Sequence, residues 1–436
     1  VPSDDEPESL RLTDGIRGTR PGSGTRSIGS RYAEVEQAVS WSAEGKNRMT
    51  WIEDAAMHAV LDWQRRGLER HPATFSSPQT PRAIVDGEPR ILFSSSNYLG
   101  LAERSEVIGA ARQAIRTFGV GSGGSRLATG TSTAHELVES TLAAFLDYPD
   151  AILFGSGFAA NTGVLQALAE PGVRIFSDAS NHASLIDGCR LAKTHGAEVT
   201  VFPHGDLAAL QAMLVEASGQ RCLVVTDGVF SMDGTLAPLP ELTELCRRFG
   251  AALMVDDAHG LGTVGATGRG IVEHFGMQQD PPDVLVVTGS KALGAEGGAV
   301  LASESVIAML RQRARPYVYS TAPSPAVCAA LTAALDILNG PNSPVPDLHR
   351  NVDRMATRLG LDTWPTPIVP VAVGDEASAV QAAHELGEQG WFVPAMRWPT
   401  VPRSRAILRV TVMATHTDDQ IDGLADALAR LGLPRT

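Results

Sequence analysis

Short apolar runs, each followed by a stretch of helical length, recur from about residue 100 onward. Runs at 151–154, 173–177, 198–202, 222–227, 252–256 and 284–288 carry too few polar residues to be half-exposed strands, and they predict buried ones. Helices are predicted at 105–117, 133–146 and 326–338. Such alternation predicts an α/β fold: a large, mostly parallel sheet with helices on both faces. Ligands of such sheets sit at the carboxyl ends of the strands. Gly340-Pro341 and Pro344-Val345-Pro346 punctuate the chain and predict a boundary. Beyond it lie predicted strands at 367–373 and 407–413, a helix at 377–387, and a last helix opened by a capping box at Thr417.

Upstream, residues 1–46 are poor in apolar positions and rich in Gly, Ser, Arg and acids, and they predict a flexible leader. The capping box Thr50-Trp51-Ile52-Glu53 opens an amphipathic helix expected to end near His71-Pro72. A strand at 90–94 and a turn at Asn97-Tyr98-Leu99-Gly100 follow. The expected organisation is a leader (1–46), an N-terminal helix and strand segment (47–100), a large domain (101–340) and a small C-terminal α/β domain (341–436).

Composition narrows the class. The chain has 436 residues, 43% of them hydrophobic and 19% charged. Those proportions are ordinary for a globular enzyme. A net charge of -13 with no basic tract argues against nucleic acid as the main partner. No apolar run approaches the length that spans a membrane. Four cysteines without CxxC spacing read as reduced thiols of a cytoplasmic protein. The chain opens on Val, which fits a trimmed chain or a segment of a longer polypeptide.

Four stretches carry chemistry. Val284–Val287 runs into Thr288-Gly289-Ser290-Lys291 and then a return through Gly294, Gly297 and Gly298. A lysine at such a strand end can form a Schiff base with a carbonyl cofactor, while the neighbouring hydroxyls hold a phosphate. Asp256-Asp257-Ala258-His259 places a carboxylate where it can pair with a protonated ring nitrogen. Gly155-Ser156-Gly157-Phe158-Ala159-Ala160-Asn161 joins a strand to a helix, a phosphate-binding arrangement. Asn181-His182-Ala183-Ser184 sets a histidine where it can stack on a flat ring. Each has a plainer alternative when taken singly: a surface lysine, an acidic helix cap, an ordinary glycine turn, a loop histidine satisfied by backbone. No Gly-Lys-Ser/Thr follows any glycine cluster, so a Walker loop is excluded. No metal-ligand spacing is present.

Together SSNYLGLA, GSGGSRLATGT, FGSGFAAN, SDASNHASLIDGCRLAK, TDGVFSMDGTLAPL, VDDAHGLGTVGATGRG and TGSKALGAEGGAVL resemble the α-oxoamine synthases. These are fold-type I enzymes that use pyridoxal 5'-phosphate, and the resemblance is greatest to the 8-amino-7-oxononanoate synthase branch. It runs from about residue 50 to the C-terminus, through MRWPTVPRSRAILRVTVMATHT. It implies a seven-stranded sheet in the large domain and a homodimer with shared active sites. Lys291 would be the Schiff-base lysine, Asp256 the partner of the ring nitrogen, His259 the contact to the phenolic oxygen, and His182 the stacking residue. Ser231 would lie beside the cofactor. Gly157, Phe158 and Thr288 would hold its phosphate, and Ser320 and Thr321 would reach the partner's. Arg409 would clamp the amino-acid carboxylate, and Asn97, Ser125, Arg397 and Thr400 would complete the substrate site.

The implied reaction is a decarboxylative Claisen condensation of a small amino acid with an acyl-CoA or acyl-carrier-protein thioester, giving an α-amino ketone. Three positions depart from the family pattern: Ser96 where Asn is common, Trp398 where Pro is common, and Leu68 where an arginine would meet a distal carboxylate. Arg65, Arg66 and Arg70 are neighbouring substitutes for that arginine. Ser125 favours alanine or serine over strict use of glycine. The alternatives are a carrier-protein-dependent synthase taking a fatty acyl chain, a 2-amino-3-ketobutyrate ligase-like enzyme, an aminotransferase or aldolase, and a binding module without catalysis.

Overall fold

The computed structural model describes residues 50–66 and 68–433. The expected leader over 1–46 lies outside the described residues. The chain divides into two units, one through Thr74 and one from Phe75 onward. In the first, helix Trp51–Arg65 opens on the predicted capping box, with Thr50 accepting from the Glu53 N–H and Glu53 accepting from that of Thr50. It stops at Arg65 rather than near His71. The following Arg66-Gly67 offers no apolar side chain to pack, and its glycine disfavours propagation. Leu68 therefore lies past the helix end, and none of the helix's residues is buried.

The second unit begins with a hairpin of β1 (Arg82–Val85) and β2 (Glu88–Leu92). Its turn, Asp86-Gly87, has φ of 51° and 84°. These are the left-handed values that an Asp-Gly hairpin turn supplies. That dipeptide is a hairpin signal in the sequence, although the apolar pattern predicts only a single strand here.

Seven strands then form the main sheet: β3 (Asp150–Phe154), β4 (Val173–Asp178), β5 (Glu198–Phe202), β6 (Arg221–Asp227), β7 (Ala252–Asp256), β8 (Val284–Thr288) and β9 (Gly298–Ala302). The order is β3-β9-β8-β7-β6-β4-β5, parallel throughout except for β9, which runs antiparallel between β3 and β8. Six strands lie where the apolar runs predict them. The seventh, GAVLA, sits inside what reads as a glycine-rich return, because its small residues mask a fully buried strand.

Strand periodicity sorts the sheet into two faces. Leu153, Val224, Val255, Leu285 and Val287 join one apolar cluster, and Ile152, Phe154, Val225, Met254, Val284 and Val286 join the other. Helices Gly157–Leu168 and Ala183–Thr194 cover the second face through Val164, Leu165, Leu185 and Cys189. All four cysteines are buried and free.

Helix Pro325–Asn339 leads to helix Val345–Leu359, which starts at the proline cluster read as a boundary. Proline fits the first helical turn because no N–H is needed there. β10 (Ile368–Gly374), β11 (Trp391–Phe392), β12 (Ala395–Met396) and β13 (Ala406–Thr411) follow, with helices Glu376–Glu388 and Asp418–Arg430. β10, β13 and β12 form one small sheet, and β11 pairs with β2. His416 locks this end. Its Nε2–H donates to Leu92 O at 2.7 Å, its Nδ1 accepts from Met413 N–H at 2.9 Å, and its ring stacks on Phe93 at 4.0 Å. Burial pushes the His416 pKa down to about 4.

Candidate active site

The two-residue strand period decides which polar groups meet. Asp227 has the parity of Val225, Asp256 that of Met254 and Thr288 that of Val286, so all three project to one face at the carboxyl ends of β6, β7 and β8. Above them lies a cavity of about 240 Å³. Its wall includes Ser156, Gly157, Phe158, Asn161, His182, Ser184, Asp227, Ser231, Asp256, His259, Thr288, Ser290 and Lys291.

Lys291 emerges from a turn that Thr288 holds: its hydroxyl donates to Gly297 O at 2.9 Å and meets Ser290 Oγ at 2.8 Å. Burial lowers the pKa of Lys291, and the charges of Asp256 and Asp227 oppose that shift. Asp256 accepts from Asn161 Nδ2 at 2.6 Å on one oxygen and from the Ala258 N–H at 3.0 Å on the other. Asn161 also donates to Ser184 Oγ at 2.8 Å, while its own Oδ1 is buried without a partner.

His182 is the N-cap of helix Ala183–Thr194, so its ring is fixed by the helix start. Its Nδ1 accepts from the Ser184 N–H at 3.2 Å and meets Ser184 Oγ at 2.7 Å. Burial lowers its pKa, which favours the neutral ring with its proton on Nε2. His259 Nδ1 meets the hydroxyl of the fully buried Tyr98 at 2.7 Å. Burial depresses its pKa strongly, and the nearby charges of Lys291 and Arg409 add to this.

Ser156 caps helix Gly157–Leu168, accepting from the Ala159 N–H at 3.1 Å. The first N–H groups of a helix have no acceptor within it, and these sit at the cavity rim. The start of β9 passes close by: a Cβ on Gly298 would come within 2.4 Å of Gly157 N. Only glycine allows the lysine-bearing return to approach the start of this helix so closely.

These residues fit pyridoxal phosphate: an amine depressed by burial, a carboxylate held by two donors for the ring nitrogen, a helix start for the phosphate, and an unpartnered amide oxygen in the wall. Among the described residues no group of His, Cys, Asp and Glu suits a metal ion.

The other predicted residues are placed differently. Arg409 is buried in β13, donates from Nε to Ser231 O at 2.6 Å, and so reaches the wall through Ser231. Asn97 is used structurally, donating to Gln79 O in the segment before β1 and accepting from the Ala102 N–H, both at 3.3 Å. Ser125 pairs with Thr321 in a short bridge, and Ser320 and Thr321 are exposed outside this cavity. Arg397 and Thr400 lie in the segment between β12 and β13, where Thr400 N–H donates to Arg397 O at 2.9 Å. Trp398 packs beneath the Arg403 guanidinium at 4.3 Å. Tyr98, Asn161, Ser184 and Asp227 belong to the site without an assignment from sequence. For Asp227 a signal exists, since it ends a buried strand just as Asp256 does.

Comparison with known proteins agrees with this geometry. The family model "Aminotransferase class I and II" matches residues 88–428. The chain is 46% identical to an 8-amino-7-oxononanoate synthase of Methylococcus capsulatus, over 85% of this chain and 96% of that protein. It is 45% identical to the biotin biosynthesis bifunctional protein BioWF of Corynebacterium kroppenstedtii, over 86% of this chain. It spans only 58% of that relative's length. Among solved structures, the serine palmitoyltransferase of Sphingomonas wittichii superposes with a TM-score of 0.81 at 32% identity, covering 89% of this chain and 100% of that one. A structure of SPT with a PLP internal aldimine gives 0.81 at 30% identity, covering 88% of this chain and 100% of that one.

Proposed function

The chain belongs to the aminotransferase class I and II family and, within it, to the pyridoxal-phosphate-dependent α-oxoamine synthases, and from that premise we propose that it condenses alanine, or another small amino acid, with an acyl thioester, releasing the free thiol, carbon dioxide and an α-amino ketone. The 8-amino-7-oxononanoate synthase activity is the reading that best fits. The observation that carries it is the shared cavity of Lys291 and Asp256, set by neighbouring strands β8 and β7 on one face of the sheet.

Pyridoxal phosphate supplies an aldehyde for an amine and a ring that takes up electron density from the amino-acid Cα. The protein's residues do the rest. Lys291, with its pKa lowered by burial, is the group placed to take the Cα proton. His182 offers its Nε2–H to a substrate oxygen. Arg409 presents a planar fork to the amino-acid carboxylate. Its Nε is already fixed by Ser231 O at 2.6 Å and its Nη1 by Thr411 Oγ1 at 3.2 Å. Gly157, Phe158 and Thr288 would hold the phosphate end.

A homodimer with shared sites is part of this reading. Ser320 and Thr321 are exposed, and they neighbour exposed apolar residues, with Tyr319 71% and Val120 76% accessible. Ser324 Oγ donates to Val120 O at 2.6 Å, tying the two stretches together. The free thiols support a cytoplasmic setting. No helix among the described residues is long and apolar enough to cross a membrane.

The test is a matrix of amino acids against acyl-CoA and acyl-carrier-protein thioesters, read by product mass. The expected product mass equals amino acid plus thioester less carbon dioxide and the free thiol, and Lys291→Ala abolishes it. Transamination of alanine without thioester and without condensation would overturn the proposal.

A further inference from the structure

Asp227 is a buried acid that the chemistry above leaves unused. It ends β6 in direct register with Asp256 at the end of β7, so the two carboxyl groups are neighbours on one face of the sheet. Both line the cavity and both are almost fully buried. Two carboxylates placed this way cannot both ionise at modest cost.

The donors around them are unequal. Asp256 receives one donor on each oxygen, at 2.6 and 3.0 Å. Asp227 receives a single N–H, that of His182, divided between its two oxygens at 3.3 and 3.2 Å. The backbone around Asp227 is clamped as well: its N–H donates to Asn181 Oδ1 at 2.9 Å, and Asn181 Nδ2 donates to Val225 O at 2.9 Å. The turn that carries His182 is thus fastened to the end of β6.

We propose that Asp227 and Asp256 form a carboxyl pair holding one proton, that the proton resides on Asp227, and that neutral Asp227 is a positioning residue that sets His182 through its backbone N–H. The charge is left to Asp256, the partner with more donors, which is the one that must be negative to hold a ring nitrogen. Neutral Asp227 keeps an acceptor for His182 N–H and adds an O–H donor to the cavity wall. The groups facing it are Asp256 from β7, Lys291 after β8 and His182 at its helix start, while Asp178 at the end of β4 points to the other face of the sheet and acts on it only through its charge. Burial and the charge of Asp256 push the Asp227 pKa well above the usual carboxylate range, while the His182 N–H and Lys291 oppose this. The role given to Asp256 toward a ring nitrogen, the absorbance readout and the kinetic readout rest on the proposed function, whereas the carboxyl pair itself is tested without the cofactor.

The first readout needs no cofactor. In protein labelled with carboxyl-13C aspartate, two buried aspartates are expected to stay protonated at pH 7: Asp227, and Asp257, whose pKa burial raises to about 8. Asp227→Asn removes one signal and Asp257→Asn the other. A wild-type spectrum without a second protonated signal, or a second signal that survives in Asp227→Asn, overturns the proposal. Should Asp227→Asn not fold, Asp257→Asn must still retain one protonated signal.

The second readout uses the holoenzyme, following the pH midpoint of the cofactor's visible absorbance. Replacing a neutral acid by Asn leaves that midpoint within about 0.3 unit, whereas removing an ionised neighbour would lower it by about one to three units. For positioning, Asp227→Leu is expected to lower kcat about 10- to 100-fold with KM for the amino acid little changed, and Asp227→Asn to recover most of that loss. A proportional rise in KM with kcat intact would overturn the positioning role.

Discussion

Replacing Glu139 by Ala tests the buried frame behind the glycine-rich segment that carries Ser125. Arg126 and Glu139 form a two-pronged ion pair at 2.8 and 3.1 Å, and their side chains are only 3% and 8% exposed. Glu139 also accepts the Leu153 N–H of β3 at 2.8 Å. Arg126 donates from Nε to Thr131 Oγ1 at 3.1 Å and lies over the Tyr317 ring at 5.1 Å. Glu139→Ala leaves a buried guanidinium uncompensated and a buried N–H without an acceptor. Breaking one side of such a pair costs about 3–5 kcal/mol. For a unit of about 360 residues with an unfolding entropy of about 2.1 cal/mol/K per residue, this lowers Tm by about 4–7 °C. The double change Arg126→Met with Glu139→Leu removes both charges and fills the space but still leaves the Leu153 N–H unpaired, which costs about 1–3 kcal/mol. Its Tm is therefore expected about 1–4 °C below the wild type and above that of the single variant. Thermal melts followed by circular dichroism decide the matter. A single variant within about 1 °C of wild type, or a double variant as unstable as the single one, refutes the reasoning.

Tyr98→Phe removes the partner of His259 Nδ1 in a fully buried place. One such bond is worth about 1 kcal/mol, so cofactor Kd is expected to rise about fivefold in an absorbance titration, and an unchanged Kd counts against a role for Tyr98. Asp257 has a pKa raised to about 8 by burial, with only the Ile271 N–H at 2.9 Å to favour its charged form. The folded protein therefore holds a proton that the unfolded chain releases near pH 4. Its contribution to stability is complete below about pH 4 and is lost as pH rises through about 8. Asp257→Asn is expected to flatten that part of the Tm-pH curve for the cofactor-free protein, and a slope identical to wild type would refute the assignment.

The main sheet is largely legible because its strands are apolar on both faces and so appear as unbroken runs. β9 escapes for the opposite reason: Gly298, Ala299 and Ala302 are buried but small, and they look like a loop until the facing β3 and β8 are known. The hairpin of β1 and β2 is signalled only by Asp86-Gly87, since Arg82–Val85 is too short to show alternation. At the site, the strand-end rule finds Lys291 and Asp256, and motif order finds His182 and His259. Tyr98 and Asn161 are not legible as site residues, because each acts across a long sequence distance: Tyr98 meets a residue 161 positions away and Asn161 one 95 positions away. Arg126 with Glu139 is hidden in the same way, as a charged pair in a loop and a helix gives no sign of burial.

Register explains why this site tolerates so little change in its scaffold. Asp227, Asp256 and Thr288 share a face only because each is the last residue of its strand and has the parity of an apolar residue two positions earlier. Inserting one residue into β7 would turn Asp256 toward the face of Val255 and bring an apolar side chain to the cavity, while leaving overall hydrophobicity almost unchanged. The apolar runs are continuous, so the core would accept either register. It is the polar ends, Asp227 with the His182 N–H, Asp256 with Asn161, and Thr288 with Gly297 O, that distinguish one from the other. The polar groups that line the cavity are in this sense also the groups that specify the alignment of the three central strands, which links the proposed chemistry of the site to the choice of fold.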